Sequence, residues 1–191
     1  GPPSSGDWIV TGIETYSDQV IVLNGNLFIE NGGNLTFRRV TFKMNCIHDG
    51  QYRIEVRSGG NFYVLDGSII TAVDSEREFL FDVYAGSTFM MNSSELHECG
   101  IEDGGSGLSI SSADVVIENS LISNNWYAIM CNYCNPVIRN NNISSNEFEA
   151  ICLNHSNGTI EANHIENNGA GIRGDFYSSP VIQGNTVVNN G

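Results

Sequence analysis

The sequence predicts an all-β solenoid, a parallel β-helix of about seven coils, on three observations. The segments that begin at Pro136, Gly158 and Pro180 match one another at a spacing of 22 residues. Their apolar residues fall in runs of about three to five, without a helical stripe, and Asn and Gly occupy the gaps between the runs. A repeat this short cannot bury its own apolar face, so successive coils must stack, about 4.8 Å apart.

The N-terminal segment is predicted to close the solenoid. We set aside residues 1–6 as a flexible lead or tag remnant and assign 7–191 to a single β-helix domain. Residues 7–23 are apolar at both ends and have no partner in the repeat register. An open solenoid end exposes the core and unpaired backbone groups. We therefore predict an N-terminal cap at 7–23, with Trp8 as its largest covering residue.

The first coils repeat at a spacing of 27 residues and are wider than the later ones. Their predicted inward columns are Leu27, Ile54, Phe81 and Leu108; Leu35, Phe62 and Phe89; and Phe42, Ile69 and Leu96. Near Asp114 the spacing falls to 21 or 22 residues. The later columns are Ile117, Ile138, Ile160 and Ile182; and Ile129, Ile151 and Ile172. Three inward strands per coil predict a triangular core that narrows toward the C-terminus.

Asparagine residues recur at two corners of the narrow coils. One set is Ser120, Asn141, Asn163 and Asn185, and the other is Asn125, Asn146, Asn168 and Asn190. Asn tolerates the left-handed backbone of a tight corner, and stacked amides can hydrogen-bond as a ladder.

The chain stops at Gly191, half way through a coil, which predicts either further protein or end-to-end assembly with a neighbouring copy.

Composition excludes some partners. The 22 Asp and Glu residues outnumber the 8 Lys and Arg residues, so the net charge is -14. An acidic chain repels nucleic acid and anionic lipid, and no apolar run is long enough to cross a membrane. Five N-x-S/T sequons favour an extracellular or cell-surface location. These glycosylation candidates are Asn34, Asn92, Asn142, Asn154 and Asn157.

Two features of the sequence resemble a known group: the segment VLNGNLFIENGGNLTFRRVTF at 22–42 and the later repeat pattern I-x-N-N-x-I-x-x-N. The sequence resembles the right-handed parallel β-helix repeats of NosD-type periplasmic proteins and of archaeal and bacterial surface proteins in the pectate-lyase-like superfamily. The resemblance covers roughly residues 20–191 and implies a right-handed fold. It leaves function open, because such folds host lyases, hydrolases, adhesins and spacers. The superfamily's Asp cluster and base are not recognisable, so we predict no catalytic residue.

Two clusters are candidate metal sites. Asp49, Glu76 and Asp103 keep the 27-residue spacing, and stacked carboxylates could bind a calcium ion. The alternative is a solvated face on which these side chains splay apart. A second cluster has the residue types of a zinc site. The alternative is that its cysteines are buried thiols that pack as small apolar residues and bind no metal. Its members are Cys131, Cys134, Cys152 and His155.

Aromatic residues concentrate late in the chain and are candidate carbohydrate-binding residues, because sugar rings stack on outward aromatic rings. They are Trp126, Tyr127, Tyr133, His155, Phe176 and Tyr177. The alternative is that these rings clamp corners or contact another subunit.

Taken together, these features predict a non-catalytic extracellular structural or adhesive module that binds glycan or neighbouring copies of itself. The alternative function is that of a polysaccharide lyase or glycoside hydrolase.

Overall fold

The computed structural model describes residues 1–191, which form strands and no helix. The strands pair in parallel, coil upon coil, into an eight-stranded sheet and a 14-stranded sheet, here called sheet 1 and sheet 2. Sheet 1 forms one face of the solenoid and sheet 2 forms the other two. No helix that could span a membrane is present. The prediction of an all-β parallel β-helix is confirmed.

Sheet 1 takes one strand from each coil. Its strands are β1 (Trp8–Val10), β3 (Leu27–Ile29), β5 (Arg53–Val56), β8 (Leu80–Val83), β11 (Gly107–Ile110), β14 (Tyr127–Asn132), β17 (Glu149–Asn154) and β20 (Ala170–Asp175). In each strand the alternate residues point inward to the core and outward to solvent. The outward residues of this sheet therefore form columns that run along the solenoid.

Sheet 2 begins with two long strands that run across both of its faces, β2 (Ile13–Leu23) and β4 (Asn34–Met44). In later coils a corner divides the strand in two. The strands before the corner are β6 (Asn61–Leu65), β9 (Thr88–Asn92), β12 (Asp114–Glu118), β15 (Val137–Arg139), β18 (Thr159–Glu161) and β21 (Val181–Gln183). Those after it are β7 (Ile69–Ala72), β10 (Glu95–Leu96), β13 (Leu121–Ser123), β16 (Asn142–Ser144), β19 (His164–Glu166) and β22 (Thr186–Val188).

The core follows most of the predicted columns and narrows as predicted. Leu27, Ile54, Phe81 and Leu108 are register partners in sheet 1, and Ile129, Ile151 and Ile172 continue the column at the shorter spacing. Aromatic rings fill the wide half, where Phe62 packs edge-on against Phe37 at 5.3 Å between centroids. The narrow half buries mainly Ile side chains such as Ile138 and Ile160. The shorter coils thus enclose smaller side chains.

One predicted core position is wrong by one residue. Ile70, and not Ile69, pairs with Phe42 and Leu96 and is fully buried. The cause is an extra corner residue: Asp66 and Gly67 both have positive φ where the preceding coil has the single residue Arg39. Since side chains alternate along a strand, one added residue exchanges the inward and outward faces.

The N-terminal segment pairs with the coil that follows it. β1 lies parallel to β3, and β2 lies parallel to β4 over its whole length. Trp8 is buried against Tyr16 and Phe37, at ring-centroid distances of 5.4 Å and 6.2 Å. Its indole nitrogen is buried without a hydrogen-bond partner. The N-terminal amine of Gly1 lies 3.3 Å from the carboxylate of Glu14, so the first residues lie against β2.

Both predicted Asn ladders form, and both are buried. The Asn146 Oδ1 atom accepts hydrogen bonds from the backbone nitrogen and from Nδ2 of Asn125, each at 3.0 Å. The Asn146 amide donates in turn to the carbonyl oxygen of Ile122, at 3.1 Å, and to Asn168 Oδ1, at 2.8 Å. The second ladder, through Asn141, Asn163 and Asn185, repeats this pattern. Each amide satisfies corner backbone groups that would otherwise be buried unpaired.

The left-handed backbone of these corners lies one residue earlier than predicted. Asn140 and Ala162 have φ values of 55° and 54°, and each precedes a ladder residue. Ser145 and Asn167, both with φ of 57°, do the same in the other ladder. The residue with positive φ turns the chain, and the Asn that follows points inward. In each corner, one residue therefore adopts the left-handed conformation, and the Asn that follows it makes the side-chain hydrogen bonds.

We predict that Asn146→Ala lowers the free energy of unfolding by about 2–4 kcal/mol, because it removes the side-chain partner of the buried backbone N–H of Asn125 and the amide hydrogen bonds to the Ile122 carbonyl and to Asn168. The control is Asn142→Ala, which changes an exposed Asn of the same coil and should alter stability by less than about 0.5 kcal/mol. Urea denaturation followed by circular dichroism measures both. Equal losses in the two variants would contradict a structural role of the ladder.

Candidate functional site

The largest cavity is an open groove of about 300 Å³ on the outer face of sheet 1, over its last coils. Met130, Cys152 and Arg173 form its floor. They are register partners in β14, β17 and β20, so their side chains lie in one outward column. They point outward because their strand neighbours Ile129 and Leu153 fill the core. Below, this cavity is called the sheet 1 groove.

Two walls border the sheet 1 groove. One consists of Tyr127 and the loop at Gly104 and Gly105. A Cβ atom at Gly105 would lie 3.3 Å from the Tyr127 ring, so the loop is in close contact with the ring. The other wall is a second outward column with Phe176 beside it. That column is Asn132, Asn154 and Asp175.

Arg173 is the one cation of the groove, and two carboxylates hold it. Its guanidinium lies 2.9 Å from Glu149 Oε1 and 2.7 Å from Asp175 Oδ2. Hydrogen bonds to Glu149 and then to Asp175 raise the pKa of Arg173 above its usual range. The lining itself carries one positive and one negative charge, the buried Glu149 carboxylate adds a second negative charge beside it, and the guanidinium is fixed in place.

The remaining polar groups have hydrogen-bonding capacity to spare. Asn154 Nδ2 donates to Asn132 Oδ1 at 3.1 Å, which uses neither hydrogen of the Asn132 amide group. Burial raises the pKa of the Cys152 thiol and that of the Tyr127 phenol. Both groups are therefore neutral at pH 7 and can donate a hydrogen bond. The groove thus presents neutral donors and acceptors beside one neutralised cation.

The six predicted carbohydrate-binding residues separate into two groups. Tyr127 lines the groove and stacks on Phe148, at 5.1 Å between centroids, and Trp126 packs against the same ring. Tyr133, His155 and Phe176 form a stack along one corner, with centroid separations of 4.6 Å and 5.7 Å, and Phe176 also lines the groove. The two neighbouring rings cover the faces of His155, whereas Tyr133 and Phe176 at the ends are largely exposed. Tyr177 lies at the end of the stack, tilted against His155.

The outer face of sheet 1 near the N-terminus carries a charged network. Glu55 is buried and receives ion pairs from Arg57, at 2.7 Å, and from Arg53, at 3.4 Å. Arg57 also pairs with Glu30. Asp82 follows Glu55 in the same outward column, and no ion pair involves it. Burial is the main cause that raises the pKa of Asp82. None of the three cavities includes this face.

The predicted calcium residues do not converge. Asp49 and Asp103 line one small cavity, but Glu76 is absent from it. No group of three or more His, Cys, Asp or Glu side chains is placed to hold a metal ion. The neighbour of Asp49 is Glu78 instead. Burial, followed by a hydrogen bond with Asp49, raises the pKa of Glu78 to about 7. The Glu78 carboxyl group is therefore protonated below about pH 7 and can donate this hydrogen bond to Asp49.

The predicted zinc residues also separate. Cys131 and Cys134 are buried, whereas Cys152 faces the opposite side of the sheet and is partly exposed. His155 is engaged in the aromatic stack and lies 2.8 Å from Asn154 Oδ1. The four side chains do not surround one point.

The five predicted glycosylation residues differ in exposure. Asn142 and Asn157 are exposed, and Asn34, Asn92 and Asn154 are partly buried. The Asn157 amide oxygen accepts a hydrogen bond from the backbone of Ser179 at 2.6 Å, and the Asn154 amide is bonded to Asn132. Asn142 is thus the most accessible acceptor, and use of these sites remains a prediction.

Several groove residues were missed by sequence reasoning, chiefly Met130, Asn132 and Arg173. Arg173 is not among the site residues predicted from the sequence. The signal that could have identified it is register: Met130, Cys152 and Arg173 occupy one outward column at the 21- or 22-residue spacing. This column mixes an apolar residue, a thiol and a cation, so no single residue type marks it in the sequence.

Comparison with protein families gives one match. A family model described as a right handed beta helix region matches residues 26–191. Among curated proteins, none matches the chain. The family match covers the wide and narrow coils alike, and it includes every residue that lines the sheet 1 groove.

The Glu78 carboxyl group predicts a pH dependence of stability. Its pKa is raised from 4.5 to about 7 in the folded chain, so its stabilisation is complete below about pH 4.5 and is lost as pH rises to about 7. In Glu78→Gln the amide donates to Asp49 at every pH. We therefore expect this variant to melt at a higher temperature than the parent at pH 8 and to show a smaller difference between pH 5 and pH 8.

The control is Glu76→Gln, which removes the same charge from an exposed side chain two residues away. Differential scanning calorimetry at pH 5 and pH 8 measures all three proteins. If both variants change the pH dependence equally, the effect comes from net charge and not from the Asp49–Glu78 pair.

Proposed function

Since the chain belongs to the right-handed beta helix family, we propose that it is a non-catalytic β-helix module that binds a neutral glycan in the sheet 1 groove. The observation that carries the proposal is the composition of this groove: apolar surface from Tyr127 and Met130, neutral amides, and a cation already paired with two carboxylates. Each of these features matches a property of an uncharged sugar.

The size and shape of the groove suit a short stretch of a chain-like ligand. Its volume of about 300 Å³ is at the lower end of the range for ligand pockets, about 300–1,000 Å³. It is open along the outer face of the sheet, so a longer polymer could enter and leave it without threading through a closed mouth. A segment of an oligosaccharide fits this description better than an enclosed small molecule does.

The polar groups of the groove favour hydroxyl groups as partners. The amides of Asn132 and Asn154 offer donors and acceptors at one wall. Tyr127 on the opposite wall offers an aromatic surface and a phenol. A sugar ring combines apolar C–H faces with hydroxyl edges, so it can contact both walls at once.

The charges at the groove favour neutral glycans over acidic ones. Glu149 and Asp175 together exceed the single positive charge of Arg173, and the whole chain has a net charge of -14. A uronic acid or sulfated sugar would have to compete with both carboxylates for the guanidinium. The groove therefore favours an uncharged ligand.

Two observations support a surface module rather than an enzyme at this site. Both groove carboxylates are engaged with Arg173, so neither is an unpaired acid or base beside a bound sugar. Asn142 and Asn157 place sequons on exposed positions of the narrow coils, which agrees with a location outside the cell or on its surface. We propose that location together with the binding function.

The proposal predicts that Met130→Trp lowers affinity for a neutral oligosaccharide at least about tenfold, a loss of about 1.4 kcal/mol of binding free energy. The indole would occupy the floor of the groove. A panel of neutral oligosaccharides is screened first, and isothermal titration calorimetry then compares the parent and the variant on the best ligand. Acidic oligosaccharides of equal length should bind more weakly to the parent.

Ser109→Trp is the matched control. Ser109 is the register partner of Met130 in the preceding coil and lies outside the groove lining, so the same indole there should leave affinity unchanged. The proposal fails if no neutral oligosaccharide binds, if acidic ligands bind better, or if the two variants weaken binding equally.

A second candidate function is glycoside hydrolysis on the N-terminal part of sheet 1. Asp82 favours it, because a half-buried carboxyl group with a raised pKa can act as a proton donor. Its register partner Glu55 lies on the adjacent strand, about 4.8 Å away between backbones. Pairs of carboxyl groups about 5 Å apart are found in retaining glycosidases. We rank this candidate second because the face has no groove and because Glu55 is ion-paired.

This candidate predicts that Asp82→Asn abolishes release of reducing sugar, while Met130→Trp leaves it intact. Activity should also fall as pH rises through the raised pKa of Asp82, because the proton donor is lost. A reducing-end assay on a panel of polysaccharides tests it. Cleavage that persists in Asp82→Asn, or no cleavage of any substrate by the parent, excludes this role.

A further inference from the structure

Cys131 and Cys134 occupy the same corner of the narrow half, at the end of β14, and no role described above uses them. Cys131 is 1% exposed and Cys134 is 3% exposed. Cys131 fills a core column between Ile110 and Leu153. Cys134 takes the position held by Ser156 one coil later. The corner therefore buries two thiols that are three residues apart.

The local backbone explains why both side chains point inward. In a regular strand, residues separated by three positions face opposite sides. Here Tyr133 has a φ of 54°, and this left-handed residue reverses the alternation. Its own side chain is 73% exposed, and the side chain of Cys134 points back into the core. The chain bends at Tyr133, and Cys134 Sγ lies 3.4 Å from the carbonyl oxygen of Ile110, the register partner of Cys131.

The two thiols lie close enough to affect each other's pKa. A hydrogen bond from the Cys131 thiol is the main cause that lowers the pKa of Cys134, and donors from Ser156 and the Asn132 backbone add to it. The same hydrogen bond, together with burial, raises the pKa of Cys131. When Cys134 is protonated, its thiol lies 3.4 Å from the carbonyl oxygen of Ile110. Cys134 is therefore the better nucleophile of the pair.

We propose that Cys131 and Cys134 are an oxidisable dithiol that closes to an intrachain disulfide within the coil corner. With hydrogen peroxide as the oxidant, the Cys134 thiolate attacks one peroxide oxygen and the O–O bond breaks. Protonation of the leaving hydroxide gives water and a sulfenic acid on Cys134. The Cys131 sulfur then attacks Cys134 Sγ, and a second water leaves. Two thiols and one peroxide thus give one disulfide and two waters.

Access and surroundings both fit this reaction. Tyr133, which lies between the two cysteines, is 73% exposed, so the corner that holds the pair is at the surface of the solenoid. Two backbone hydrogen bonds of the corner do not involve sulfur: the Cys134 nitrogen donates to Ser156 Oγ at 3.2 Å, and the Tyr133 nitrogen donates to the Asn154 carbonyl at 3.0 Å. Closing the disulfide leaves both in place.

The other three cysteines make poor partners for this pair. Cys152 lies on the neighbouring strand in register with Met130, and so faces the opposite side of the sheet from Cys131. Cys46 and Cys99 are buried in earlier coils. The structure thus selects one pairing among the five thiols.

The test exposes the folded protein to hydrogen peroxide, removes the oxidant, and alkylates all remaining thiols in denaturant. Mass spectrometry of proteolytic fragments should show alkylated Cys46, Cys99 and Cys152, and a fragment in which Cys131 and Cys134 are joined. Dithiothreitol should then restore five alkylatable thiols. Cys152→Ser should give the same linkage as the parent.

Cys134→Ser introduces the residue that the next coil already has at this position, so the variant should fold. In it, Cys131 should remain alkylatable after peroxide treatment. The proposal is overturned if all five thiols of the parent stay free, if the linkage joins Cys131 or Cys134 to another cysteine, or if Cys131 is protected equally in Cys134→Ser.

Discussion

The structure depends on the buried side chains that close the corners between strands. Each coil must turn sharply, and each turn leaves backbone N–H and C=O groups inside a narrow core where water cannot reach them. Asn141, Asn146, Asn163 and Asn168 satisfy these groups through bonds of 2.8–3.1 Å to the coil before and the coil after. Because each amide joins three coils, the ladders can keep the narrow coils in register. The stacked Ile columns supply apolar burial between the ladders.

This arrangement also determines where function can lie. Inward columns and corner ladders must repeat from coil to coil, whereas outward positions of sheet 1 are free to differ. The column that reads Glu55, Asp82 and Ser109 in the wide coils continues as Met130, Cys152 and Arg173 in the narrow ones. The first part is a charged face without a cavity, and the second part is a groove with neutral lining. One column thus carries two different surfaces.

The sequence alone was sufficient for the fold but not for the site. Repeats at 27 and 22 residues predict the core columns because inward residues must match across coils. Ile69 was misplaced because one extra residue, Gly67, is visible only when the backbone of the corner is known. Tyr133, His155 and Phe176 follow the 21- or 22-residue spacing, but spacing could not reveal that their rings stack on one another. Equally, spacing could not show that Asp49 approaches Glu78 rather than Glu76.

The central claim is that the sheet 1 groove binds a neutral glycan. Its most direct test is a titration of isotope-labelled protein with a neutral oligosaccharide, followed by backbone amide shifts in NMR spectra. The account predicts saturable shifts confined to residues around the groove, with Met130, Asn132, Cys152 and Asn154 among them. Shifts centred on Glu55 and Asp82, or no saturable shifts with any neutral oligosaccharide, would contradict it.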